Sequence, residues 1–479
     1  MLHRRRFINR FALAGAGLAL SPAWLRASAM VFDEPFPSRR PALKDRRFTS
    51  PAIEEKIVEV KRRLKDPELA WLFENCFPNT LDTTVSTGEL DGKPDTYVIT
   101  GDIDAMWLRD SSAQVWPYLP FIKKDAALQK LIAGVINRHA RCVTLDPYAN
   151  AFYKDATKIS EWQHDETDMK PGIHERKWEV DSLCYVIRLA HGYWQAGGDT
   201  ACFDADWLNA MKLIVKTFKE QQRKDGPGPY HFMRTTDRST DTSPGNGYGN
   251  LCKPNGLICS AFRPSDDSTI FPYLIPSNLF AVVSLKQLAA MATALYNDQP
   301  FADECTALAS EVHQAVMEHG VITHAKFGRM FAYEIDGFGG CYVADDANVP
   351  SLLSLPYLKA LQPQDLAIYQ NTRSFLLSYG DNPYYVRGKA AEGISGPHAG
   401  RDNIWPMAII IRAITSMADV DILQSLGTLK ATHAGTGFMH ESFNKDDAHH
   451  FTRKWFAWAN TLYGEFIIKV LDEKPHLIV

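Results

Sequence analysis

An all-α fold, helical hairpins closed into an (α/α)6 barrel, is what this sequence predicts, and three observations predict it. Helical periodicity covers most of the chain, with room for about twelve helices. Strand signals are few and local: "TYVITGDI", "GRMFAYEID" and "CYVAD". No Pro/Gly/Ser-rich linker divides the chain, so residues 30–479 read as one domain. An α-solenoid fits the same helices, but no repeat of fixed period is present, and this favours the toroid. In a toroid the ends of the inner helices and their loops converge on one face.

The elements follow in order. Residues 1–29, with "RRRF", a short apolar stretch and Ala27-Ser28-Ala29, have the three-part design of a twin-arginine signal peptide. This implies the twin-arginine export machinery as a partner and a periplasmic or secreted location. The apolar stretch is too short to span a bilayer comfortably, so no membrane insertion of the mature protein is expected. "SPAIEEKIVEVKRRLKDPELAWLFENC" opens on a Ser-Pro cap and places Ile53, Ile57, Val60 and Leu64 on one stripe. Helical patterns recur at 124–142, 177–196, 205–222, 276–296, 300–318, 362–378, 403–417 and 453–471, with shorter ones at 110–120, 347–360 and 420–431.

A net charge of −4 without a basic run argues against a nucleic-acid partner. The eight cysteines show no zinc spacing, and only Cys252 and Cys259, flanking a Pro-Asn-Gly turn, suggest a disulfide. Eleven tryptophans beside carboxylates favour a sugar-handling surface, since pyranose faces stack on indole while hydroxyls seek charged acceptors. From Arg223 to Pro276 the chain has no helical period and is crowded with Gly, Pro, Asn and Asp. A run of that length inside a domain reads as a lid or one wall of a site.

Six acid and aromatic clusters fall at helix junctions: "GDIDAMWLRD", "HERKWEVDS", "RPSDDSTIF", "YEIDGFGGCYVADDANVP", "YVRGKAAEGISGPHAGRDNIWPM" and "GTGFMHESF". No P-loop, dinucleotide fingerprint, HExxH or GxSxG accompanies them. No metal site and no cofactor is therefore expected. Paired carboxylates among aromatics are the equipment of glycoside hydrolysis: one acid protonates the leaving oxygen, and one carboxylate activates water or attacks the anomeric carbon.

The blocks "TGDIDAMWLRDSSAQVWPYL", "RPSDDSTIFPYLIPSN", "DDANVPSLLSLPYL", "GPHAGRDNIWPM" and "HESF" resemble glycoside hydrolase family 125, the exo-α-1,6-mannosidases, from about residue 50 to the C-terminus. The resemblance implies an (α/α)6 barrel and a metal-independent, inverting removal of non-reducing-end α-1,6-linked mannose. It also implies an Asp acid in mid-chain and a Glu base near the end. Glu441 is then the base. Asp266 and Asp267 compete for the acid; the Asp-x-Ser arrangement of related inverting barrels selects Asp266, and the family's spacing permits either. An inverting pair stands roughly 6.5–9.5 Å apart to admit water. The acid's pKa must be raised by burial or a like charge, while His440 or an Arg keeps Glu441 ionised.

Asp102, Asp104, Arg109 and Asp110 read as clamps on mannose hydroxyls with Trp107 as a wall, or, for the Arg109–Asp110 pair, as a buried structural network. Glu179 and Asp181, two apart at a helix start, place one carboxyl in the pocket or serve the helix dipole. Asp346 and Asn348 hold hydroxyls or cap a helix; Trp405 lines the pocket, and His398 lines it too or is a satisfied loop histidine. The alternatives are a glucoamylase-like glycosidase and a non-catalytic glycan-binding protein, which would need no proton-transfer pair. In every reading the partner is an oligosaccharide.

Overall fold

Capping residues divide the chain into thirteen α-helices among the described residues, which in this computed structural model are 36–479. The signal peptide expected over residues 1–29 lies outside them. Ser50 accepts from Ile53 N to start α1 (Pro51–Arg63). The long pattern expected to run on to Cys76 then breaks, because Asp66 accepts from Glu68 N and Leu69 N and Pro67 opens a new helix, α2 (Pro67–Cys76). After α3 (Asn79–Thr83) and α4 (Leu108–Val115), Pro117 and Pro120 turn the chain into 3-10 geometry. Asp125 caps α5 (Ala126–Leu145), α6 spans Val180–Gln195, and Asp204 caps α7 (Ala205–Gln221). Next come α8 (Ile275–Tyr296), α9 (Gln299–His319, capped by Asp298), α10 (Leu366–Leu376), α11 (Pro406–Ile414), α12 (Asp419–Thr432) and α13 (Ala457–Glu473).

Two layers result from residues Ser38–Val479. In the inner layer α4 packs on α6 and α13, α6 on α8, and α11 on α13. Outside, α5 lies against α6 and α7, α9 against α8, α12 against α11, and α2 against α13. The sequence separates the layers: α1 buries one stripe (Ala52, Ile53, Ile57, Val60), whereas α8 buries residues around much of its circumference. The barrel is the (α/α)6 fold expected from periodicity.

One expected helix is missing. Residues 347–360 come fourth in chain order among the inner segments, between α8 and α11, yet they form largely buried turns. Both Asp345 carboxylate oxygens take backbone N–H groups, from Leu352 and Leu353, and Ser351 and Ser354 bond to each other's backbone. Those side-chain bonds compete with the helix ladder, and Pro356 removes another donor. Asp345 therefore serves the backbone. Its carboxyl is pushed up to about 8 by burial, against the pull of the two N–H bonds.

The strands are short and sit at the helix junctions. Lys93–Val98 pairs with Val85–Leu90, Gly328–Phe331 with Val321–His324, and Glu334–Ile335 with both Cys341–Tyr342 and Tyr273–Leu274. Cys252 and Cys259 stand with sulfurs 3.5 Å apart as free thiols.

Gly101 shows how tightly the junctions are packed. Its φ is +137°, and a Cβ there would lie 2.2 Å from the Trp455 carbonyl oxygen. The close approach lets Asp102 N reach that same oxygen and Ala457 N reach Thr100 O, joining the junction before α4 to the start of α13. Gly101→Ala is expected to destabilise the fold by about 2 kcal/mol or more, seen as a lowered denaturant midpoint at unchanged m-value.

Candidate active site

The N-terminal ends of inner helices meet at one cavity of about 580 Å³. Arg109 and Asp110 stand in the first turn of α4, Trp405 caps α11, and Phe456 and Trp458 flank the start of α13; all five line it. Helix N-termini carry partial positive charge, which favours the carboxylates gathered there. A second wall comes from the irregular stretch expected to build one, through Arg234–Arg238, Asp241 and Pro264–Asp266.

Arg109 is the hub of one side. It is 2% exposed and reaches Glu179 Oε2 at 2.5 Å, Asp266 Oδ1 at 3.1 Å, Asp181 Oδ2 at 3.3 Å and Asp110 Oδ2 at 3.6 Å. Burial pushes the Asp110 carboxyl up to about 6, with Arg109 pulling the other way. Asp266 lines the cavity in the left-handed region, φ +68°. An Asp tolerates that conformation better than most residues, and it separates two neighbouring side chains. The Asp266 side chain is 24% exposed; that of Asp267 is 3% exposed and faces His398 Nδ1 at 3.6 Å.

Glu441 occupies the other side. Thr452 Oγ1 donates to its Oε2 at 2.9 Å and Arg453 Nη1 to its Oε1 at 3.3 Å. Arg453 also binds Asp102 at 2.6 Å and Thr100 Oγ1 at 3.0 Å, and its φ of +39° is unusual for a long side chain. Asp266 and Glu441 share no hydrogen-bond partner, yet both border the same space.

Residues 66–468 match the family described as metal-independent α-mannosidases, GH125. The chain belongs to glycoside hydrolase family 125. It is an α-mannosidase. A Schizosaccharomyces pombe relative, the meiotically up-regulated gene 157 protein, is 42% identical over 92% of this chain and 90% of its own. A Streptococcus pneumoniae metal-independent α-mannosidase, solved in a non-productive complex with α-1,6-mannobiose, is 40% identical. It superposes with a TM-score of 0.85 over 89% of this chain and all of that one. A bacterial glucoamylase complexed with acarbose shares the fold alone, at 12% identity and a TM-score of 0.50 over 88% of this chain and 58% of that one.

The mannosidase brings Trp107, Arg109, Asp110, Asp266, Asn348, His398, Trp405 and Glu441 to the cavity wall, as the sequence predicts. Four of these carry buried polar atoms without a hydrogen-bond partner among the described residues: Trp107 Nε1, Arg109 Nε, Asn348 Nδ2 and Trp405 Nε1. Such orphans suit sugar hydroxyls. Burial opposes charge on His398, but Asp267, with Glu441 and Asp266 behind it, raises the imidazole overall.

The other predicted residues stand elsewhere. Asp102 is exposed and acts on the cavity through Arg453, and Asp104 is exposed away from it. Glu179 and Asp181 are buried against Arg109 and do not line the cavity. Asp346 accepts from Ser265 Oγ at 2.6 Å and so orients the residue before Asp266. His440 does not touch Glu441; it stacks on Phe451 at 3.7 Å, where burial lowers its imidazole to about 4. The Glu441 partner is Arg453 instead.

Arg453, Trp458 and Arg234 are cavity residues outside the six clusters, and Glu175 and Lys177 lie inside "HERKWEVDS" without a role assigned from sequence. Lys177 reaches Asp241 at 2.6 Å and Glu175 at 3.3 Å, and donates to the Asp266 carbonyl at 3.0 Å. The signal was present in the helix boundaries. Patterns expected to begin at 177, 403 and 453 begin at 180, 406 and 457, and the residues left over form the site loops.

Proposed function

We propose that this mannosidase is an exo-acting, inverting enzyme that removes non-reducing-end α-1,6-linked mannose, with Asp266 as acid and Glu441 as base. One observation carries the roles: two carboxyls with separate partners border a single cavity in an α-mannosidase fold. The likeness to the pneumococcal enzyme with its α-1,6-mannobiose supports the linkage. Asp266 gives its proton to the glycosidic oxygen as the C1–O bond breaks. Water held by Glu441 bonds to C1 and gives its proton to that carboxylate. Arg453 and Thr452 fix the carboxylate, and Trp107, Trp405 and Asn348 offer N–H groups to sugar hydroxyls. Export by the twin-arginine route belongs to the same proposal and rests on residues 1–29; replacing Arg5 and Arg6 by Lys should retain the precursor inside the cell.

Proton NMR of α-1,6-mannobiose hydrolysis, with EDTA present, tests the reading. β-Mannose should appear first and mutarotate later. First appearance of α-mannose would replace inversion by retention and make Glu441 a nucleophile; absence of turnover would move the specificity to another linkage.

A further inference from the structure

An acid must hold a proton, yet Asp266 sits between two cations. Arg109 bonds its carboxylate and Lys177 its carbonyl, while Asn150 Nδ2 adds a third donor at 3.4 Å. Burial favours the neutral form, but those cations overcome it and hold the Asp266 carboxyl well below the usual range. Alone, this residue would be a carboxylate at neutral pH and useless as an acid.

Glu179 supplies what is missing. It is 1% exposed at the start of α6, and its Oε2 takes Arg109 and, at 2.7 Å, Ser182 Oγ. Its Oε1 is buried without a donor. Arg109 joins the two carboxyls, holding Glu179 through Nη1 at 2.5 Å and Asp266 through Nη2 at 3.1 Å. Two carboxyls on one guanidinium carry one negative charge too many, and a proton held between them removes it. Every other charged group facing the pair is a carboxylate or already engaged: Asp181 and Asp110 share Arg109, Lys177 is held by Asp241 and Glu175, and His398 by Asp267.

We propose that Glu179 is the positioning residue that keeps the acid's proton, sharing it with Asp266 across Arg109 and returning it to Asp266 when a glycosidic oxygen arrives. This rests on the reading of Asp266 as acid. Burial, reinforced by Asp266 and Asp181 and opposed by Arg109, raises the Glu179 carboxyl, which favours a proton on the pair. During turnover the shared proton passes to the leaving oxygen, the C1–O bonding pair goes with that oxygen, and the emptied pair takes a proton from water once product leaves. The acid works below the pH at which the pair loses its last proton, so the basic limb of the pH profile belongs to the pair.

Glu179→Gln is the test, because the amide oxygen can replace Oε2 toward Arg109 and Ser182 while the amide nitrogen donates to Asp266 and holds it ionised. On α-1,6-mannobiose the basic limb of kcat/KM should move down by about one pH unit or more. The neutral-pH rate should fall by about 10²-fold. A 2,4-dinitrophenyl α-mannoside, whose leaving group needs no proton, should keep most of its rate. Glu179→Asp, which withdraws the carboxyl without removing it, should give an intermediate limb and serves if the Gln variant does not fold. An unmoved limb in either variant, with both substrates slowed alike, would make Glu179 structural and overturn the proposal. Failure of the acid reading looks different: Asp266→Asn would then slow both substrates equally.

Discussion

Replacing Glu441 by Gln is expected to lower kcat on α-1,6-mannobiose by about 10³-fold while leaving the thermal midpoint close to that of the wild type. That loss corresponds to about 4 kcal/mol of transition-state stabilisation. The amide is nearly isosteric with the carboxylate. Its oxygen can accept from Arg453 Nη1 and its nitrogen can donate to Thr452 Oγ1, so the two contacts survive with altered polarity. What disappears is a group able to take a proton from water. KM should change little, because the lost interaction forms only as the nucleophile develops. A kcat within tenfold of the wild type, in folded protein, would remove Glu441 from the reaction.

The second large effect separates the adjacent aspartates. Asp266→Asn is expected to reduce mannobiose turnover by about 10²- to 10⁴-fold and to spare the 2,4-dinitrophenyl α-mannoside, whose leaving group departs without protonation. Asp267→Asn should act alike on both substrates and more weakly, since its side chain faces His398 and does not border the cavity. Steady-state kinetics on the two substrates decide the matter. If Asp267→Asn shows the selective loss, the acid and its neighbour exchange roles, and Asp266 becomes a fixed anion of the Arg109 cluster.

Much of the site was legible because its chemistry is written in short blocks. "RPSDDS" and "HESF" hold both proposed proton-transfer groups, and Trp107, Arg109, Asp110, His398 and Trp405 reach the cavity from blocks that mix carboxylates with aromatics. Asp102 and Asp104 lie in the right block but are exposed outside the cavity. Glu179, Asp181, Asp346 and His440 lie in the right blocks but are buried, and periodicity says nothing about the direction of a side chain at a helix start or in a loop. Arg453 went unnoticed because it precedes α13 inside what reads as one helical stripe. The absent helix at 347–360 follows from hydrogen bonds between side chains and backbone, which no propensity scale weighs.

The sequence by itself determined most of the helices, the (α/α)6 class, the six loop clusters and the family, because periodicity and motif chemistry are local and survive in one dimension. Tertiary structure alone decided which of two neighbouring aspartates meets the cavity, through the left-handed backbone of Asp266. It alone brought Arg453 to Glu441 and Asp102, and set Glu179 beside Asp266 under a single guanidinium. Protonation depends on burial and on charges within a few ångströms, and in this barrel those charges come from segments as far apart as residues 109 and 266.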